Sequence, residues 1–385
     1  VGSEMCIRDS FMPAIVGIIA DRWVPAQRLL GICHLLAALF MGAAGYYALA
    51  TGEGVSFGVL FTLYSLSVAF YMPTIALSNS VAYCVLEGSG YDTVKSFPPI
   101  RVWGTVGFIC SMLVCDAAGF QTTYMQFVQC AVLGLVLGVY AMTLPSCPVS
   151  RGGERKSLVE ALGLRAFTLF KQRKMALFFI FSMLLGVSLQ ITSGFANPFI
   201  TSFRDIPQFA STFGANHANA LISLSQVSET LCILLIPFFL KRFGIKNVML
   251  MAMLAWVLRF GLFGLGNPGP GVWMFILSMI VYGVAFDFFN ISGSLFVNKE
   301  TDVAIRSSAQ GLFMIMTNGI GATIGTLGAQ AVVNRFVYSQ TDAEAMVAGW
   351  STSWLIFAGY ALVVALVFAL VFRYRHDPKT VGDVR

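Results

Sequence analysis

PFFLKRFGIKNV, residues 237–248, interrupts a chain that otherwise avoids charge. Apolar sequence runs into it over 217–241 and out of it over 246–265, with Lys241, Arg242 and Lys246 crowded into the turn. Two apolar segments of spanning length joined by a short basic turn describe a helical hairpin whose bend lies at a bilayer surface. GIIADRWVPAQR, residues 17–28, repeats the arrangement roughly 220 residues earlier, again with small or kink-prone residues before a basic turn. A hairpin repeated at that distance predicts a chain built from two similar halves.

Composition agrees with this reading. Of 385 residues, 57% are hydrophobic and 11% charged, with a mean hydropathy of +0.78, whereas a soluble domain carries about 25% charged residues. Lipid offers no partner to a free backbone N–H, so spans of this kind are helices, and the 37 glycines suit helices that approach closely. Ten complete spans are expected near 28–50, 56–86, 98–118, 122–144, 174–202, 217–241, 246–265, 271–298, 306–334 and 350–372. The eight cysteines are scattered through apolar runs without metal-ligand or paired spacing and read as small hydrophobes.

The remaining segments are punctuation. VGSEMCIRDS, residues 1–10, fits nothing downstream and reads as a non-native or misread prefix, while residues 11–20 are too short to span and read as the end of a truncated helix. The amino-terminal bundle is thus expected over 11–144, and the carboxyl-terminal bundle over 174–372. Residues 145–173 join them as a cytoplasmic linker or an interfacial helix, and 373–385 form a cytoplasmic tail. Assigning alternate loops to opposite sides puts 20 Lys and Arg residues on one side and only Arg204 and Arg335 on the other. Positive-inside bias makes the first side cytoplasmic, so the net charge of +6 is a topology signal and not a nucleic-acid footprint.

Polar residues inside the spans are the functional candidates, because ionisable groups in lipid are expensive unless they face a cavity or one another. Ser223, Gln226 and Glu229 recur every three residues on one side of a helix. An interhelical network explains the serine and glutamine, but a buried glutamate points further, to a substrate ligand, a proton carrier or both. In VYGVAFDFFNISG, Tyr282 and Phe286 lie four apart beside Asp287 and Asn290. They are ordinary core or the walls of a site for a planar ligand, and Asp287 is functional or a structural lock. Gln190 and Ser193 lie one turn apart, before Asn197-Pro198. Arg101, Thr105 and Phe108 form an i, i+4, i+7 stripe in FPPIRVWGTVGF, after Pro98 and Pro99 at the expected helix start. Arg101 either anchors a helix end or offers its guanidinium fork to an oxygen-rich substrate. Arg259 is most simply a structural partner for a carboxylate or carbonyls. No metal constellation, phosphate-binding glycine loop or nucleophile–base pair accompanies these residues, which favours gradient-driven transport over catalysis or ATP-driven pumping.

Together MPTIALSNSVAY (72–83), FPPIRVWGTVGF (97–108), FSMLLGVSLQIT (181–192), SLSQVSETL (223–231) and YGVAFDFFNISGSLF (282–296) resemble the nucleoside:proton symporter family of the major facilitator superfamily. The resemblance runs from Phe11 to about His376. It implies an all-α polytopic membrane fold of two six-helix bundles, here lacking helix 1 and part of helix 2, that imports purine and pyrimidine nucleosides with protons by alternating access. It places Arg101, Thr105, Phe108, Gln190, Gln226, Glu229, Tyr282 and Phe286 at substrate positions and Asp287 at an acidic position linked to binding or coupling; as the buried carboxylates, Glu229 and Asp287 are the candidate proton carriers. At Ser193, also a substrate position, the family pattern has asparagine, so the shorter hydroxyl is expected to alter nucleoside preference. No cofactor, metal or nucleic acid is implied; the expected partners are nucleosides, protons and the lipid bilayer, in the inner membrane, with a monomer as the default. A proton-coupled sugar or polyol transporter and a nontransporting receptor or structural protein are the alternatives.

Overall fold

A computed structural model describes residues 24–91, 93–147, 164–301 and 306–374. The prefix 1–10, the stub 11–20, most of the 17–28 turn, most of the 145–173 linker and the tail beyond Tyr374 lie outside the described residues. The chain divides into two compact units, with the division between Leu162 and Gly163.

The amino-terminal unit contains α1 (Ala26–Thr51), α2 (Phe57–Gly88), α3 (Thr93–Ala117) and α4 (Met125–Met142). Pro25 starts α1, and Gly52, at φ 56°, ends it in a conformation that costs glycine little. α1 packs against both α2 and α4. It meets α4 where Gly31 and Gly138 face each other: a Cβ on Gly138 would lie 2.7 Å from the Leu35 side chain. Ser67 on α2 donates to the Ala37 carbonyl at 2.7 Å, and Gln129 on α4 donates to the Ser111 carbonyl of α3 at 3.0 Å. α3 begins at Thr93, earlier than the expected 98, so Pro98 and Pro99 fall in its second turn. Lacking N–H groups, they leave the carbonyls four residues before them without helical donors.

The carboxyl-terminal unit contains α5 (Arg173–Ser202), α6 (Ala218–Leu265), α7 (Val272–Glu300), α8 (Arg306–Met314), a π-helical segment (Ile315–Gly321), α9 (Ala322–Phe336) and α10 (Ala343–Val371). α6 counts 48 residues, about 72 Å at 1.5 Å per residue and more than twice a hydrocarbon core of about 30 Å. It is two spans: Gly244, at φ 76° and ψ 166°, breaks the helix within the basic turn at 237–248. Among the described residues eight helices are long and apolar enough to cross a membrane, and the Gly244 break makes two crossings of one of them. α3 adds a shorter apolar stretch, Val102–Ala117. α10 begins with Asp342 accepting a bond from the Ala345 N–H at 3.1 Å, an N-cap that extends this span seven residues before its expected start.

Alternation of direction brings the start of α5 and the ends of α7 and α10 to one face of the carboxyl-terminal unit. Lys174 pairs with Glu300 at 2.7 Å and lies 4.6 Å from the centre of the Tyr374 ring, and Lys246, just past the Gly244 break, donates to the Ala369 carbonyl at 3.1 Å. All these groups belong to the basic side of the charge partition. Outward-facing residues of α6, such as Val227, Leu231 and Leu234, are exposed and apolar, as contact with lipid requires.

Candidate functional site

The seam between α6 and α7 builds the polar centre of the carboxyl-terminal unit. A Cβ on Gly283 would lie 2.5 Å from the Ser228 carbonyl oxygen and 2.7 Å from Cys232 Sγ, so only glycine permits this approach. Ser228 Oγ donates to the Ile280 carbonyl, and Ser225 Oγ donates to Met279 Sδ at 3.1 Å. These bonds fix the axial register of the two helices. Glu229 follows Ser228 and Tyr282 precedes Gly283, so the seam sets both, and Glu229, Arg259 and Asp287 all fall within Coulombic reach of the Tyr282 hydroxyl.

Arg259 is the framework of this centre. Its side chain is 1% exposed; Nη1 donates to the Ser278 carbonyl at 2.5 Å, and Nε reaches Thr192 Oγ1 at 3.5 Å. The guanidinium carbon lies 4.7 Å from the Tyr282 ring centre and 5.0 Å from that of Phe263, a cation–π arrangement that spreads the charge over two rings. Ser278 returns a bond from Oγ to the Arg259 carbonyl at 3.1 Å. Of the partners expected for Arg259, the carbonyl is the one observed.

Tyr282 is therefore largely committed. Phe286 stacks on it at 5.7 Å and 6°, and Trp256 meets it edge to face at 6.0 Å. Tyr282 is 8% exposed while Phe286 is half-buried, so Phe286 is the ring with surface left for a flat ligand. Asp287, next along α7, is buried; Gln226 and Glu229 on α6 are half-buried.

α5 forms a second close seam. Gly186 lies so near the Thr317 carbonyl of the π-helical segment, and Gly321 so near the Met183 carbonyl, that a Cβ at either would overlap an oxygen. Gly325 on α9 has no more room, with a Cβ placed 2.8 Å from the Val187 carbonyl and 3.2 Å from Gln190 Cβ. Gln190 is half-buried just above this contact. One turn on, Ser193 is exposed and its hydroxyl donates to the Leu189 carbonyl at 3.0 Å, which leaves it only acceptor capacity for a ligand. Asn197 Nδ2 donates to Asn219 Oδ1 at 2.7 Å, tying α5 to the start of α6 beside Pro198. A recess in this unit is lined by Leu189, Trp256, Phe286, Asn290, Thr317 and Asn318, among others.

In the amino-terminal unit, α3 carries Arg101, Thr105 and Phe108. The Arg101 backbone is helical, and its side chain lies outside the described residues. Thr105 is half-buried, Phe108 is 53% exposed, and Cβ atoms on Gly104 and Gly107 would meet nothing within 4 Å. This face of α3 is open within its own unit. Among the described residues no group of three or more His, Cys, Asp and Glu is placed to hold a metal ion.

The sequence reading missed the residues that hold the site. Ser225, Ser228 and Cys232 form a stripe beside the Ser223, Gln226, Glu229 stripe, and small residues at i, i+3 and i+7 were the signal for the seam against Gly283. Thr192, Ser278 and Asn318 carried no comparable pattern.

The sequence pattern of the family described as Nucleoside H+ symporter matches residues 1–377. Nucleoside permease NupG of Escherichia coli (strain K12) is 48% identical over 379 residues, covering 98% of this chain and 87% of that protein. The xanthosine permease of the same organism is also 48% identical, over 382 residues, covering 99% and 88%. The crystal structure of nucleoside transporter NupG superposes with a TM-score of 0.85 at 46% identity, covering 97% of this chain and 89% of that one. The all-helical polytopic fold is accordingly of the major facilitator type, and the chain belongs to the nucleoside:proton symporter family.

Proposed function

We propose that this protein is a multi-pass inner-membrane transporter that imports purine and pyrimidine nucleosides together with protons by alternating access. The observation that carries the reading is 48% identity to a nucleoside permease across 98% of the chain. The carboxyl-terminal unit offers matching chemistry. A nucleoside presents a flat base and several hydroxyls, which need apolar walls and a few placed polar groups. Phe286 retains exposed ring surface, Tyr282 backs it, and Gln190, Ser193, Gln226 and Glu229 supply donors and acceptors. In the amino-terminal unit the substrate candidates are Arg101, Thr105 and Phe108 on α3.

Transport needs no covalent step. A downhill proton drives accumulation if protonation and nucleoside binding both bias the exchange between outward-open and inward-open states, which is a linkage between two ligands. Glu229 and Asp287 carry the coupling in this reading. The basic face that includes Lys174 and Lys246 is cytoplasmic by the positive-inside rule, as is the carboxyl terminus, and the working unit is a monomer.

The test is uptake by proteoliposomes under an imposed pH gradient. Radiolabelled uridine and adenosine should accumulate against their gradients, collapse of the pH gradient should abolish accumulation, and excess free ribose or glucose should not compete. Uptake that follows sugars, or that ignores the pH gradient, would remove the reading.

A further inference from the structure

We propose that the recess bounded by Trp256, Phe286, Asn290 and Asn318 is the subsite that reads the hydrogen-bonding edge of the nucleobase; the inference rests on the nucleoside reading above. Three polar groups there lack ordinary partners. Asn290, half-buried one turn beyond Phe286 on α7, makes no side-chain hydrogen bond among the described residues. Asn318 is exposed, and among the described residues its side chain reaches only the Met314 sulfur, at 4.0 Å, a weak acceptor at the limit of contact. Trp256 is 1% exposed, and its indole N–H has no acceptor among the described residues.

A buried polar group with a purely structural role is normally satisfied by protein or ordered water, and the Trp256 N–H is not satisfied within the described residues, while half-buried Asn290 and exposed Asn318 keep their amides open to a ligand. The neighbouring residue shows the contrast: Thr317 Oγ1 donates to the Phe313 carbonyl at 3.0 Å and is spent. Asn318 follows it in the π-helical segment, and such segments shift side chains out of α-helical register, frequently at functional sites. The glycine seam of α5 holds that segment rigidly, so Asn318 is presented from a fixed support.

The chemistry selects the base over the ribose. Two amides supply both donors and acceptors, as the edges of purines and pyrimidines require, and Phe286 beside them offers a ring face for stacking. No carboxylate lines the recess. Neither amide titrates, so the proton pathway has no use for them. Glu229 and Gln226 then remain for the hydroxyls of the sugar.

The experiment compares nucleoside pairs in competition for uptake by the reconstituted protein. One pair, adenosine and purine riboside, differs by one exocyclic group on the base; the other, adenosine and 2′-deoxyadenosine, differs only in the sugar. The wild type should favour the complete base by about tenfold, as a site with hydrogen-bonding groups rejects an analogue that leaves them unpaired. In Asn290→Leu or Asn318→Leu that preference should shrink to about twofold or less while the sugar preference stays. Unchanged base preference in both variants, equal loss of base and sugar preference, or a wild type indifferent to the exocyclic group overturns the inference. Should the leucine variants fail to fold, Asn290→Asp and Asn318→Asp replace a donor by an acceptor at constant size. They must then alter the ranking of adenosine against inosine, and an unaltered ranking overturns the inference equally. A wild type that takes up no nucleoside at all is a different result, which sinks the proposed function itself.

Discussion

Gly107 on α3 and Gly186 on α5 sit in helices of similar length and similar apolar character, yet their surroundings are opposite. Around Gly107 a Cβ would find nothing within 4 Å; at Gly186 it would overlap the Thr317 carbonyl. Gly104 resembles the first, and Gly283 and Gly321 resemble the second. Glycine on α3 leaves one face of the helix bare beside Thr105 and Phe108. Glycine on α5 and α7 brings backbones together, and on α7 Gly283 fixes Tyr282, one position away. A single residue type thus clears a surface in one region and builds a framework in the other.

Substitution of the glycines attacks this contrast with the largest expected effect. Gly186→Leu should eliminate monodisperse folded protein, because the clash is with backbone that cannot rotate aside. Gly107→Ala should leave melting temperature in detergent unchanged or slightly raised, since alanine is better than glycine within a helix by about 1 kcal/mol. Equal melting temperatures for the two variants would break the comparison.

Next in size is the loss of coupling. Glu229→Gln and Asp287→Asn each remove a titratable group and keep the shape, so each should retain nucleoside exchange but lose concentration against a gradient, with the inside-to-outside ratio falling to about one. If both variants still concentrate nucleoside fully, neither carboxylate carries the coupling.

Two arginines, one in each region, sharpen the same comparison. Arg259, fixed by the Ser278 carbonyl and two aromatic rings, belongs to the framework. Arg259→Lys keeps the charge but forfeits the planar fork, and should lower stability by about 2 kcal/mol or more, seen as a reduced melting temperature. Arg101→Lys, on the open helix, should leave the melting temperature alone and weaken nucleoside affinity about tenfold. Near-normal affinity in Arg101→Lys returns that residue to the role of a helix-end anchor.

The spans were legible because lipid imposes one length and one polarity on each of them. The basic turn at 237–248 located a helix break that the backbone realises at Gly244, φ 76°. Glu229, Tyr282 and Asp287 stood out because charge and polarity are rare in these helices, and their helices do bring them within electrostatic range. What stayed hidden depends on packing between distant segments. Nothing in the spacing of Gly186 reveals that Thr317 lies against it, and Asn318 reads as one polar residue in a weakly patterned helix until the π-helical turn is seen. The start of α3 also escaped, because Pro98 and Pro99 suggested a first turn and proved to be tolerated in the second.

Ser193 combines the two regions' properties, an exposed side chain on a framework helix, and gives the smallest expected effect. Its hydroxyl proton is directed to the Leu189 carbonyl at 3.0 Å, so a ligand finds only lone pairs. Ser193→Ala removes a single acceptor and should weaken nucleoside affinity by about threefold or less, within the range of one hydrogen bond exposed to water. Ser193→Asn extends further and adds a donor, and so should change the ranking of nucleosides more than the overall rate. Competition among uridine, adenosine, inosine and xanthosine measures both. A ranking identical in wild type, Ser193→Ala and Ser193→Asn would show that Ser193 never meets the substrate, and would leave Gln190 as the polar contact that α5 offers.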